Sequence, residues 1–318
     1  MLLGIKSVLS NDQKLAFRNS GTMHLFAISG LHVGIIATVL YALLAIARVP
    51  AVPRCLLALG VLWVYVQITG AAPSAVRAFI MTLCFWAALG FRRKRSTLSA
   101  LLTSAFAVLV YDPLQLFGVG FQLSYAVVGG LLLYGQPLLT AVQERWKLFR
   151  FRTETSLSWF ELGLRSFWHW LLGLGSICIA AFIFSTPLTI AYFQIFAPGS
   201  IVLNMLLAPL ATLCIIGGCL SFACGIVHLT ALSTIFNHAA WLIISGMECC
   251  LELALHLNWI FATVKWLSLP AAIACECLLF ATVLTLHFFK KISGIGFLLA
   301  PPAILIATIC WAGLASQF

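Results

Sequence analysis

Apolar runs of about 20 residues, the length that crosses a bilayer core as a helix, recur along nearly the whole chain. That recurrence limits the fold more than any other feature. Inside hydrocarbon every backbone N–H and C=O must find a partner within the protein, which leaves helices or a closed barrel. The runs are continuous and lack the alternation of barrel strands, so they read as helices. The 318 residues are only 8% charged, against about 25% in a soluble domain, which excludes a soluble globular fold. We expect an all-α polytopic integral membrane protein of about ten transmembrane helices. They fall near 23–47, 54–71, 74–91, 97–111, 114–137, 168–196, 200–226, 231–256, 267–288 and 294–314. Pro187 predicts a kink in the sixth, because proline removes an intrahelical donor. Residues 1–22 are polar and mixed, with Lys6, Asp12, Lys14 and Arg18; they read as an interfacial lead-in, without the apolar core of a signal peptide. The largest polar connection, 138–167, mixes basic and aromatic residues and suits a helix lying at the membrane surface.

The net charge is +10. Two explanations stand: topogenic charge in cytoplasmic loops, or a path for a polyanion. Thirteen of the 18 basic residues fall in alternate connections: Arg48 and Arg54, Arg92-Arg93-Lys94-Arg95, five within 138–167, and Lys290-Lys291. By the positive-inside rule that side is cytoplasmic, which leaves both termini extracytoplasmic. The opposite turns, Gly70-Ala71-Ala72-Pro73, Asp112-Pro113 and Ala197-Pro198-Gly199, carry almost no charge. Lys6, Lys14 and Arg18 run against the rule.

Polar residues inside such runs cost free energy unless they face protein or water, so each is a functional candidate. The densest stretch, Gly21 to Gly34, holds His24, Ser29 and His32. On a helix Ser29 and His32 share a face, with His24 two turns below. Gly30 and Gly34 form a small-xxx-small pair that lets a second helix approach. Arg77 falls one turn into the third span, after Pro73-Ser74, where Ser74 is a candidate N-cap. It either snorkels to the interface or presents a fixed cation suited to phosphate. Asp112-Pro113 reads as a cap followed by proline at the first helical position. Gln122 and Ser124 put an amide and a hydroxyl into an apolar span, where bonding between helices is expected; the same holds for Asn204. Glu248, Glu252 and His256 recur at four-residue spacing and, with Glu276, form a possible intramembrane proton or ion relay. The alternative leaves His256 and Glu252 in water.

No third ligand accompanies His24 and His32 at a metal-binding spacing. The 11 cysteines match no zinc or disulfide framework and read as small hydrophobes. A P-loop, H-E-x-x-H, G-x-S-x-G and Rossmann glycine pattern are all absent from the sequence. We therefore expect no metal, no cofactor and no enzymatic activity.

The stretch from Gly21 to Gly34 resembles the opening motif of the membrane domain of the ComEC-type competence proteins, a bacterial DNA-uptake channel family. Gly70 through Ala78 is similar to that family's proline–serine–arginine turn. Asp112-Pro113 through Gly118-Val119-Gly120-Phe121-Gln122-Leu123-Ser124-Tyr125 resembles its next signature. Residues 187–209, with Pro187, Phe196, Asn204 and Pro209, resemble a looser one. The resemblance implies a multi-pass protein of the bacterial inner membrane that passes single-stranded DNA into the cytoplasm during natural transformation. It carries His24, Ser29, His32, Arg77, Asp112 and Gln122 over as positions on the DNA path or as structural polar groups. Residues 23–318 are then the competence membrane domain. Family members also carry an outer OB-like domain and often a metallo-β-lactamase-like nuclease domain, neither of which occurs in these 318 residues. The chain reads as a shortened member, one part of a split gene, or a product of a mis-set start. Single-stranded DNA, membrane lipid, separate OB-like and nuclease domains or other competence proteins, and a second copy of the chain are the partners implied. The rival readings are a proton-coupled small-solute or lipid transporter of the same architecture, favoured by Glu248, Glu252 and Glu276, and a truncated remnant that transports nothing.

Overall fold

The computed structural model describes residues 30–90, 96–148, 158–255, 262–263, 267–289 and 295–315. Nearly all are helical. In chain order they form α1 (Gly30–Ile46), α2 (Ala51–Ile68), α3 (Pro73–Gly90), α4 (Thr97–Tyr111), a 3-10 turn (Pro113–Phe117) and α5 (Val119–Gly130). A π-helical turn (Leu131–Gly135) and α6 (Gln136–Arg145) continue directly from α5, followed by α7 (Trp159–Phe193). The rest is α8 (Ser200–Ile226), α9 (Thr230–Leu255), α10 (Leu269–Phe288) and α11 (Ile295–Ala315). Two short strands, β1 (Ile195–Phe196) and β2 (Ala262–Thr263), pair antiparallel, with Ile195 opposite Thr263.

Local chemistry explains the boundaries. Ser96 caps α4 by accepting from the Ser99 N–H at 3.2 Å, the service an N-cap serine performs for orphan helix donors. At α7 the Ser158 N–H donates to Glu161 Oε2 at 2.9 Å, half of a capping box. Helix α3 opens at Pro73 itself, a position that needs no N–H, so Ser74 lies inside the first turn and is not the cap expected of it. Gly70 (φ 77°) and Ala71 (φ 48°) make the left-handed reversal between α2 and α3.

Five helical stretches among the described residues are long and apolar enough to cross a bilayer: α2, Val119–Arg145, α7, α8 and α10. Shorter apolar helices lie in α1, α3, α4 and α11. Helix α9 has 26 residues but carries Asn237, His238, Glu248 and Glu252, and is not among the five. The connection expected at 138–167 is shorter than the sequence suggested. Its first residues complete the helix that runs on to Arg145, and its last open α7 at Trp159. Helix-forming Leu, Ala, Gln, Glu and Arg carry α6 onward without a breaker.

The described residues belong to two compact units, residues up to 124 with 202–261, and residues 125–201 with 262–318. In the first, α1 packs against α2 and α3, and α3 against α4. The core is Val33, Ile36 and Ala37 of α1, Leu62 and Val66 of α2, Ala75 and Ala78 of α3, and Ile215 of α8. Arg54 is held locally: Nε and Nη2 donate to the Val49 carbonyl at 3.1 and 2.7 Å, and the guanidinium covers the Tyr41 ring at 4.9 Å.

The second unit is built on Tyr134, Phe184 and Phe297, the largest fully buried side chains in it. Tyr134 stands 5.5 Å from Phe297 and 6.2 Å from Phe184, ring to ring. Its hydroxyl donates to the Leu298 carbonyl at 2.8 Å. That carbonyl lies four residues before Pro302 and so lacks its helical donor; Tyr134 supplies the replacement. His287 Nε2 donates to the Leu133 carbonyl in the π-helical turn at 2.7 Å. A Cβ on Gly130 would lie 2.3 Å from Phe184 Cγ, so only glycine admits the ring there.

Candidate functional site

In the first unit Arg77 of α3 meets Ser124 and Gly120 of α5. Helix α3 places it one turn in, and the side chain is only 4% exposed. Its Nε and Nη2 both donate to Ser124 Oγ, at 3.2 and 3.0 Å. The guanidinium lies against the backbone at Gly120, where an added Cβ would stand 3.2 Å from Nη2, 3.6 Å from Nη1 and 3.8 Å from Cζ. Gly120 and Ser124 are four apart on one face of α5. The glycine makes room for the planar cation and the serine accepts from it. Arg77 thus clamps α3 to the first turns of α5.

The residues that lead into α5 are ordered by Asp112. Its Oδ1 accepts from the Leu114 N–H at 3.1 Å and its Oδ2 from Gln115 Nε2 at 2.9 Å. The cap starts a 3-10 turn instead of the α-helix expected. Gln122 donates from Nε2 to the Leu116 carbonyl at 3.0 Å, a bond within its own stretch. Asp112 and Gln122 therefore fix the loop and helix start that deliver Gly120 and Ser124 to Arg77.

His32 is fully buried on α1 beside Val33, Ile36 and Ala37. Gly30 faces α3, with the position of a Cβ 3.6 Å from the Ala78 Cβ, while among the described residues nothing lies within 4 Å of a Cβ at Gly34. His24, Ser29 and His256 lie outside the described residues. On α9 Glu248 is half-buried and Glu252 exposed. Asn204 Oδ1 is buried with no hydrogen-bond partner among the described residues. Glu276 belongs to the second unit, on α10, and is buried; neither unit by itself holds all four members of the supposed relay. Among the described residues no group of three His, Cys, Asp or Glu could hold a metal ion.

Sequence reasoning named Arg77, Ser124 and Gly120 without joining them. The available signal was the glycine–serine spacing of four, which on a membrane helix marks a face open to close approach.

A sequence model of the family described as Competence protein matches residues 1–289. ComE operon protein 3 of Bacillus subtilis (strain 168) is 29% identical over 218 residues, covering 69% of this chain and 25% of that protein. Competence protein ComA of Neisseria gonorrhoeae is 37% identical over 161 residues, covering 45% of this chain and 23% of that protein. The chain thus spans about a quarter of the length of these curated relatives. No solved structure matches it.

Proposed function

From the premise that the chain belongs to the Competence protein family, we propose that it is an inner-membrane channel component passing single-stranded DNA into the cytoplasm during natural transformation. The observation that carries the reading is the family match over residues 1–289, a range that contains Arg77, Gly120 and Ser124. The ten-span arrangement with both termini outside belongs to this proposal, as do the multi-pass inner-membrane location and a role as conduit and not as enzyme. OB-like and nuclease domains, other competence proteins and a second copy of the chain are its proposed partners. A strand carries one charge per nucleotide, so its path must be wet and polar. Arg77 serves that path indirectly in this reading: its donors are engaged with Ser124, and it holds two motif-bearing helices in register.

The test is uptake of end-labelled double-stranded DNA into a nuclease-protected cytoplasmic pool. A clean deletion, the wild-type chain and Arg77→Ala are compared in one competent host. Protected label lost in the deletion and reduced in Arg77→Ala is the expected result. Normal uptake in the deletion would overturn the reading. The buried Glu276 supports a second reading, a proton-coupled transporter of small solutes or lipids. Proton-dependent solute uptake lost in Glu276→Gln, with DNA uptake normal in the deletion, would put that reading first.

A further inference from the structure

Glu276 lies on the buried stripe of α10 with Ala272, Cys275, Leu279 and Val283. It is 8% exposed, and neither carboxylate oxygen has a hydrogen-bond partner among the described residues. A carboxyl group removed from water and offered no donor is disfavoured unless something else satisfies it.

The neighbouring helices show what that could be. Helices α7 and α10 run antiparallel, since Phe280 meets Phe184 at 5.0 Å between rings while Ala272 shares a core cluster with Ile190. Glu276 is one turn from both Ala272 and Phe280, which sets it level with the Thr186–Pro187 turn of α7. Thr186 and Pro187 are both buried. Proline has no N–H to offer, so the Ile183 carbonyl loses its usual helical donor. On α11, Thr308 lies between Leu305 and Ala312, which share core clusters with Leu279 and Ala272 of α10, and its hydroxyl donates to the Ile304 carbonyl at 2.8 Å. Oxygen groups from three helices therefore occur at one level: the carboxylate, two threonine hydroxyls and a loosened carbonyl. Interrupted membrane helices whose carbonyls are released are where transported monovalent cations bind.

Among the described residues of the helices packed on it, no counter-charge competes for the carboxylate. Helix α11 has no Lys, Arg, His, Asp or Glu, and α7 has none after His169. On α10 the other ionisable groups are Cys275, Cys277 and His287. Cys277 is exposed, and His287 is engaged with the Leu133 carbonyl. Cys178 and Tyr192 of α7 beyond His169, Cys310 of α11 and Tyr134 of the π-helical turn are the further titratable groups on the packed elements.

We propose that Glu276 is the centre of a binding site for a small monovalent cation, a proton or Na⁺, inside the second unit. Thr186, Thr308 and the Ile183 carbonyl are the oxygen groups at its level. The site does not depend on what the chain transports, so its failure and that of the DNA reading are separate results.

The test uses dicyclohexylcarbodiimide, a hydrophobic reagent that modifies protonated carboxyl groups shielded from water. The purified full chain in liposomes is treated with and without NaCl, with choline chloride holding ionic strength constant, and modified peptides are mapped by mass. Exposed Glu252 in the same molecule is the internal comparison, and Glu276→Gln gives the background. Modification of Glu276 suppressed about tenfold by Na⁺, as mass action gives when Na⁺ exceeds its dissociation constant by that ratio, identifies a Na⁺ site. Modification indifferent to Na⁺ that falls as pH rises identifies a proton site. No modification of Glu276 above background, with a melting midpoint unmoved by Na⁺ in the wild-type chain, overturns the proposal.

Discussion

Replacing Ser124 with alanine removes one acceptor from two guanidinium N–H groups, at 3.2 and 3.0 Å, in a side chain that is 4% exposed. A buried donor left without its acceptor costs about 1–3 kcal/mol, and more when it is charged. Ser124→Ala should therefore destabilise the first unit by about 2–3 kcal/mol, or roughly 30–150-fold in the folding equilibrium at 1.4 kcal/mol per tenfold. Removing the guanidinium as well should return much of that loss, because an apolar pair in place of both partners is close to neutral. The measurement is a double-mutant cycle of Arg77→Met and Ser124→Ala, read as unfolding midpoints of the purified chain in detergent and as protected DNA label in a competent host. A cycle additive to within about 0.5 kcal/mol would refute the clamp. The uptake readout separates positioning from charge. If the double variant is stable and passes DNA, Arg77 acts by holding α3 to α5. If it is stable and passes none, the guanidinium charge itself is required and the positioning argument fails.

The glycine half of the clamp predicts a smaller effect: Gly120→Ala puts a Cβ 3.2 Å from Nη2 and should cost about 1 kcal/mol, with no loss expected in the Arg77→Met background. Gly130→Ala sets a Cβ 2.3 Å from Phe184 Cγ, against a ring with no exposure. It should cost about 3 kcal/mol or prevent folding, and Phe184→Leu should relieve it, read as recovery of a monodisperse peak in detergent. Tyr134→Phe abandons the Leu298 carbonyl and should lower the melting midpoint by the equivalent of about 1–2 kcal/mol. Pro302→Ala in that background restores a helical donor and should recover part of the loss. Asp112→Ala should cost about 1 kcal/mol through the lost cap, with Asp112→Asn nearer to the wild-type midpoint.

Helix limits were legible where the start and stop chemistry is local. The expected spans at 97–111 and 200–226 coincide with α4 and α8, because Ser96 caps one and the Pro198-Gly199 turn precedes the other. They failed at 138–167, where charge was read as a connection lying at the membrane surface and not as the end of one long helix and the start of the next. Glu144 and Arg145 are good helix formers, and the only interruption before them is a π-helical turn that leaves the axis unbroken. Asp112 was readable as a cap because its partners are two and three residues away. Arg77 was readable as an anomaly but not as a clamp, since Ser124 is 47 residues distant and no periodicity carries that pairing. Phe184 against Gly130 was hidden for the same reason: glycine in a membrane helix signals close approach without saying of what.

The interrupted helices of the second unit argue for one reading of Glu276. In a membrane each carbonyl that loses its helical donor needs another partner. The Leu298 carbonyl receives Tyr134 and the Leu133 carbonyl receives His287, both from helices far along the chain. The Ile183 carbonyl, released by Pro187, receives no side-chain donor among the described residues. The group level with it is Glu276, which can donate only in its protonated form and which lacks a donor of its own. The carbonyl and an ionised carboxylate are both acceptors, so neither can satisfy the other without a positive centre. A proton on the carboxyl group, or Na⁺ between the oxygens, satisfies both at once, whereas a leucine in place of Glu276 would satisfy neither and would leave the carbonyl exposed to apolar contact. Structural need and cation binding therefore coincide at this position. Glu276→Leu should accordingly be less stable than Glu276→Gln, whose amide N–H can reach a carbonyl. Equal midpoints for the two variants would show that the Ile183 carbonyl is satisfied without Glu276.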